Sequence, residues 1–248
     1  MSGQPTRAGL ASRTPAQWRT WASFVRQPAL PDRAVLNPRP AFTAVFSLFG
    51  LDLALMALLL GVLSLALQLG FQMPAHMLDQ VDLKPGVLAF IVLGAPIAEE
   101  IVFRGWLSGR IGHILASPLA IAALIALPVA GTAFEAGDMG RAQGFLGAGA
   151  VAAALAAAAL FLFRKRKAIG FVQRRFAWFY WASVIAFAGI HLTNFAAAGV
   201  AALPLVLPQF LLAMILGYLR VTFGLWSSML AHVLHNALFI ALVLAGAG

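Results

Sequence analysis

The sequence predicts an all-α, polytopic transmembrane helical bundle of about seven spans, with its N-terminus in the cytoplasm. Three observations predict it: the composition, the recurrence of long apolar runs, and the placement of basic residues. Of 248 residues, 62% are hydrophobic and 10% are charged. A soluble domain carries about a quarter charged residues, so a water-facing surface cannot be built from this chain. The runs are apolar on every face, whereas a transmembrane barrel needs segments of about ten alternating residues.

Residues 1–40 form a basic cytoplasmic extension, and residues 41–248 form the transmembrane domain. The extension is polar for longer than a signal-peptide n-region and leads to no short apolar segment with a cleavage site. Within it, Thr14, Pro15 and Gln17 mark a helix start with a Thr cap, an early Pro and a capping-box Gln. Trp18, Trp21, Ala22 and Val25 then share a face opposite Arg19 and Arg26, the pattern of a helix lying in the headgroup region; a plain linker is the competing reading.

Seven spans follow, at about 42–71, 86–107, 114–133, 145–163, 176–198, 203–219 and 223–246. Each is long enough to cross the hydrocarbon, which takes about 17–25 helical residues. The first is long enough to tilt or to run beyond the bilayer. The fourth is Ala-rich with Gly147 and Gly149, which favours close helix packing. The sixth contains Pro204 and Pro208 and is short.

The basic residues set the orientation. Arg7, Arg13, Arg19, Arg26, Arg33, Arg39, Arg104, Arg110, Arg164, Lys165, Arg166, Lys167, Arg174, Arg175 and Arg220 fall on the inner side, leaving only Lys84 and Arg141 outside. Trp178, Phe179, Tyr180 and Trp181 follow Arg174 and Arg175 as interfacial anchors. The formal charge of +9 is thereby explained by topology and anionic headgroups, with no nucleic acid partner. There is no cysteine, which excludes disulfides, thiolate catalysis and thiolate-bound metal.

Ionisable residues inside the spans are few: Asp52, Glu99, Glu100, Arg104, His191, His232 and His235. A charged side chain at mid-helix costs at least about 2–3 kcal/mol, so each is expected to have a partner and a purpose. Glu100 and Arg104 stand four apart, the spacing of a same-face ion pair. Glu99 points about 100° away and has no partner in its own helix, which suits a general base. Pro96 just before the pair predicts a kink, and irregular backbone at membrane depth is tolerated where it lines a wet cavity. His232 and Asn236 share a face of the last span with His235 angled off, and His191 and Asn194 stand three apart on the fifth. At about 1.5 Å per residue, Glu99 lies about 10 Å and His232 about 14 Å from the inner boundary, with His191 deeper at about 22 Å. Asp52 lies apart and reads as a packing residue.

Glu99-Glu100-x-x-x-Arg104, Phe187-x-x-x-His191 and His232-x-x-x-Asn236, in that order and each within an apolar span, resemble the three-motif signature of the CPBP family of intramembrane endopeptidases. This family includes the CAAX prenyl endopeptidases and bacteriocin-processing proteins. The stretch from Glu99 to Asn236 is a little over half of the chain. The resemblance implies an active site in which Glu99, His191, His232 and Asn236 are catalytic, supported by Glu100, Arg104 and Phe187. Two mechanisms use these residues: Zn2+ held by Glu99, His191 and His232, or a metal-free water activated by Glu99 with His232 and Asn236 on the oxyanion.

The expected substrate is a membrane-associated peptide or protein, with CAAX-type C-terminal processing as the family's best-known use. Intramembrane Glu, His and Asp also build proton- or ion-coupled transporters, although no internal repeat or matched pair of broken helices accompanies them here. A catalytically silent membrane scaffold is the third class. The Arg-over-Lys, Ala-rich composition points to a multi-pass protein of a prokaryotic plasma membrane.

Overall fold

The computed structural model describes residues 14–35, 37–195 and 199–246. Arg7 and Arg13, two of the expected inner-side charges, lie outside the described residues. The elements are α1 (Thr14–Arg26), α2 (Pro38–Gln68), a composite span α3 (Pro85–Ser108), α4 (Ile111–Glu135), α5 (Met139–Leu162), the short α6 (Gly170–Arg174), α7 (Phe176–Ile190), α8 (Leu207–Phe223) and α9 (Leu225–Gly246). Seven helices are long and apolar enough to cross a membrane, as the hydropathy predicts, and the described residues form no β-sheet. The chain is an all-α integral membrane protein. The fifth span differs from its expected extent: α7 stops at Ile190 and a 3-10 turn continues through Asn194.

Local chemistry sets several boundaries. Asn37 caps α2, its side chain accepting from the Arg39 N–H at 3.1 Å, and Pro38 fills the first helical position where no donor is needed. Asp138 caps α5 in the same way through the Arg141 N–H at 2.9 Å. Gly137 turns the chain between α4 and α5 at φ +77°, a conformation that a side chain would strain. These two helices pair closely through small residues: a Cβ on Gly112 would come within 3.0 Å of the Ala159 carbonyl, and Ala116, Ala156 and Ala159 pack together.

The centre of the molecule is α8. Protein buries 56% of its apolar window, against 11–33% for the other spans. It packs against α2, α7 and α9. Gly217 allows the Tyr180 ring of α7 to approach to 2.7 Å of where a Cβ would stand, and the Tyr180 hydroxyl donates to the Met214 carbonyl at 2.9 Å. The aromatic face of α1 is turned to protein: Trp18 Nε1 donates to the Ser47 carbonyl at 2.8 Å, and Phe24 packs edge-on against Tyr180 and Tyr218. Leucines and valines such as Leu58, Val62, Leu127 and Val151 stand exposed on the outside, where acyl chains would cover them.

Candidate active site

The site is built on a break in α3. Pro85–Ala89 is α-helical, Phe90–Gly94 is a π turn, and α-helix resumes over Ala95–Arg104. Within the π turn the Ala95 N–H reaches back five residues to the Phe90 carbonyl. In that register the donor for Ile91 would be the N–H of residue 96, and Pro96 has none. The missing donor comes from another helix: Asn236 Nδ2 of α9 donates to the Ile91 carbonyl at 2.9 Å. The kink expected from Pro96 is therefore a π turn held open by Asn236, the kind of interruption found at functional positions.

The two adjacent carboxylates have separate environments. Glu100 and Arg104 are completely buried, and Arg104 Nη1 donates to Glu100 Oε1. His232 Nδ1 lies 3.1 Å from the same oxygen. An ionised carboxylate only accepts, so this nitrogen carries the hydrogen. Arg104 Nε and Nη2 have no hydrogen-bond partner among the described residues, and the guanidinium instead lies over the Phe187 ring, 4.1 Å from its centroid. Glu99 is different: 31% of its side chain is accessible, and its Oε2 faces His232 Nε2 at 3.6 Å. That gap is too long for a direct hydrogen bond and suits two groups sharing one water.

Phe187 joins the motifs. Beyond Arg104, its ring packs at 5.6 Å from that of His232 and at 4.6 Å from that of His191. His191 opens the 3-10 turn after α7, and its Nδ1 donates to the Phe187 carbonyl at 2.7 Å. Only Nε2 of His191 is left for other partners. Among the described residues, no hydrogen bond or ion pair joins His191 to Glu99. Ser183 ties α7 to α3 by donating to the Phe103 carbonyl at 2.8 Å.

Arg220, His113 and Ser108 were not singled out as site residues by motif or spacing, and the pairing of Asp52 with His235 was not expected. Arg220 of α8, which reads in sequence as a topology marker, is buried. Its Nε donates to the Arg104 carbonyl at 2.7 Å and its Nη2 to the Gly105 carbonyl at 2.6 Å, closing the end of the helix that carries the acids. The same Nη2 meets His113 Nδ1 at 3.1 Å, and Ser108 Oγ meets that nitrogen at 2.6 Å. Asp52 of α2 pairs with His235 of α9 at 2.7 Å. Apart from Ser108 and His113, which are five residues apart, these partners come from distant parts of the chain, so no local sequence signal links them.

A groove of about 330 Å³ lies between α3, α4, α6 and α7, walled by Val102, Trp106, Ile121, Val172 and Phe179. Its lining is almost wholly apolar, and Val102 stands three residues beyond Glu99 on the same helix face. For a metal, the test is ligand geometry. Among the described residues, no three His, Cys, Asp or Glu side chains stand close enough to hold an ion, whereas a catalytic zinc takes three protein ligands and a water. Among the described residues, Glu99, His191 and His232 do not form a three-ligand group.

A family model described as type II CAAX prenyl endopeptidase Rce1-like matches residues 82–169 and 160–238, which together take in the three motifs. No curated protein and no solved structure matches the chain. The match spans well over half of the sequence, and the chain belongs to the Rce1-like family.

Proposed function

We propose that this member of the Rce1-like family is an intramembrane endopeptidase that hydrolyses a peptide bond of a lipid-anchored, CAAX-type substrate with a water activated by Glu99. One observation carries the reading. Of two neighbouring acids, Glu100 is buried and held by Arg104 and His232, while Glu99 is partly open and faces the free nitrogen of the same imidazole across 3.6 Å. Glu100 orients His232, and Glu99 remains free to take a proton.

In this mechanism a water lies against Glu99 Oε2 and His232 Nε2. Glu99 removes one of its protons as the oxygen attacks the scissile carbonyl carbon. His232 orders the water, with its tautomer fixed by Glu100 as in other imidazole–carboxylate pairs. His191, its Nδ1 committed to Phe187, presents Nε2 as an acceptor for a substrate N–H or a second water. Asn236 holds the π turn with one amide hydrogen and keeps the other for the developing oxyanion. The apolar groove that begins at Val102, one helical turn from Glu99, would take an isoprenoid chain. The reading is the metal-free one, because Glu99, His191 and His232 do not form a three-ligand group among the described residues.

The test is direct. Purified protein in liposomes is incubated with a fluorescence-quenched, farnesylated peptide ending in a CAAX tetrapeptide, and products are identified by mass spectrometry. Release of the terminal tripeptide is expected. An intact peptide, with the protein shown to be folded, would overturn the reading. Solute uptake that depends on Glu99 would favour the transporter class instead.

A further inference from the structure

The mechanism uses none of the basic residues that join α5 to α7. This connection carries Arg164, Lys165, Arg166, Lys167, Arg174 and Arg175 and no acid, and all six are exposed. None of them takes part in an ion pair among the described residues. Asp32 reaches the connection, but it accepts from Gln173 Nε2 at 2.9 Å rather than from a cation. Like charges crowded on a short segment repel one another, which a free loop relieves by extending.

A bias of basic residues toward one end of a bundle needs no particular geometry. Here the backbone that carries them is fixed. Arg110 Nε donates to the Arg166 carbonyl at 2.9 Å and its Nη2 to the Arg164 carbonyl, so a further cation lies against the run. Arg110 pairs with Ala168 in an antiparallel bridge, and the Ile169 N–H donates to the Gly109 carbonyl at 2.8 Å. The Arg164 guanidinium lies 3.9 Å from the Phe161 ring centroid and donates to the Phe161 carbonyl at 2.9 Å. These bonds oppose the spreading that repulsion favours, so a counter-anion is the remaining way to relieve it.

The apolar residues around the run select the anion. Phe161 and Leu162 precede it, Ile169 and Phe171 interrupt it, and Trp178 follows it, all of them exposed. Aromatic and cationic side chains interleaved in this way sit at headgroup level. They match the two parts of a phospholipid, acyl chain and phosphate, and match neither a free phosphate nor an acidic peptide.

We propose that the α5–α7 connection, together with Arg110, is a binding site for the headgroup of an anionic phospholipid. The phosphate accepts charge-assisted hydrogen bonds from the Lys and Arg side chains. Gly109 and Arg110 directly follow α3, so the bound lipid also steadies the end of the helix that bears Glu99 and Glu100. The site stands whether or not the chain cleaves CAAX peptides.

Lipid binding to the purified protein in a neutral detergent is measured by native mass spectrometry, with phosphatidylglycerol and phosphatidylcholine as probes. Two triple variants remove equal charge from exposed positions at the same end of the bundle. One is Lys165→Gln/Arg166→Gln/Lys167→Gln, in the run, and the other is Arg26→Gln/Arg33→Gln/Arg39→Gln, in the N-terminal segment. Phosphatidylglycerol should bind the wild type roughly tenfold or more tightly than phosphatidylcholine. That preference should be lost in the first variant and kept within about threefold in the second. Equal losses in the two variants would show that total charge alone matters and would overturn the proposal, as would equal affinity for the two lipids. Inorganic phosphate or a poly-glutamate peptide binding as tightly as phosphatidylglycerol would overturn it too, in favour of a soluble anion. A second measurement needs no variant: phosphatidylglycerol with a photoreactive headgroup, in phosphatidylcholine liposomes, should label the wild type at Arg110 and within residues 161–178. Label found mainly elsewhere would defeat the assignment even where a variant fails to fold.

Discussion

Replacing Arg104 by Met tests the division of labour between the two acids. Arg104 is completely buried, donates to Glu100 and lies 4.1 Å over the Phe187 ring. Met keeps much of the volume and the apolar contact but removes the charge, leaving the Glu100 carboxylate buried with His232 and Ser228 as its remaining partners. Breaking a buried pair by removing one member costs about 3–5 kcal/mol, because the other charge is left uncompensated. At about 1.4 kcal/mol per decade, that is a fall of roughly 10²–10⁴ in the folded-to-unfolded ratio. Neutralising the acid as well removes the uncompensated charge, so Glu100→Gln/Arg104→Met should be clearly more stable than Arg104→Met alone. The assay is unfolding of the purified protein in mixed micelles by increasing SDS, followed by tryptophan fluorescence. An Arg104→Met midpoint equal to wild type, or a double variant no better than the single one, would refute the claim that Glu100 is a neutralised structural acid.

Three further outcomes follow from the same geometry. Asn236→Ala should cost about 1–3 kcal/mol by leaving the Ile91 carbonyl unpaired; adding Pro96→Ala, which restores an N–H in the five-residue register, should recover stability in the same SDS titration without recovering cleavage. Arg220→Ala should destabilise by about 3 kcal/mol through loss of its charge-assisted bonds to the Arg104 and Gly105 carbonyls, and Arg220→Lys should restore part of it. Treating the purified protein with a strong chelator should leave cleavage unchanged; a large loss reversed by Zn2+ would show that a metal is required.

How far the sequence reveals this arrangement depends on whether partners are local. The seven spans are legible because hydropathy over about twenty residues is a long, redundant signal. The Glu100–Arg104 pair is legible because its partners are one helical turn apart. Pro96 announces a break, but not that the break is a π turn, since the choice of register depends on Asn236, 140 residues later in the chain. Arg220 illustrates a different ambiguity. A basic residue near a helix end serves the positive-inside pattern equally well whether it faces headgroups or, as here, turns inward onto backbone carbonyls. The Asp52–His235 pair is invisible in sequence for a related reason: its members are 183 positions apart, so Asp52 alone reads as a packing residue. The aromatic face of α1 is legible as a face, but its choice of protein over headgroups is made by Ser47, Tyr180 and Tyr218 on three other helices.

In the proposed mechanism Glu99, and not its buried neighbour, activates the water. Its most direct test is turnover of the farnesylated CAAX peptide by purified Glu99→Gln protein in liposomes, alongside its SDS unfolding midpoint. A midpoint close to wild type is expected, because Glu99 is partly accessible and makes no direct hydrogen bond among the described residues, together with cleavage reduced by roughly 10²-fold or more. Proteolysis at the wild-type rate by the folded variant would contradict it.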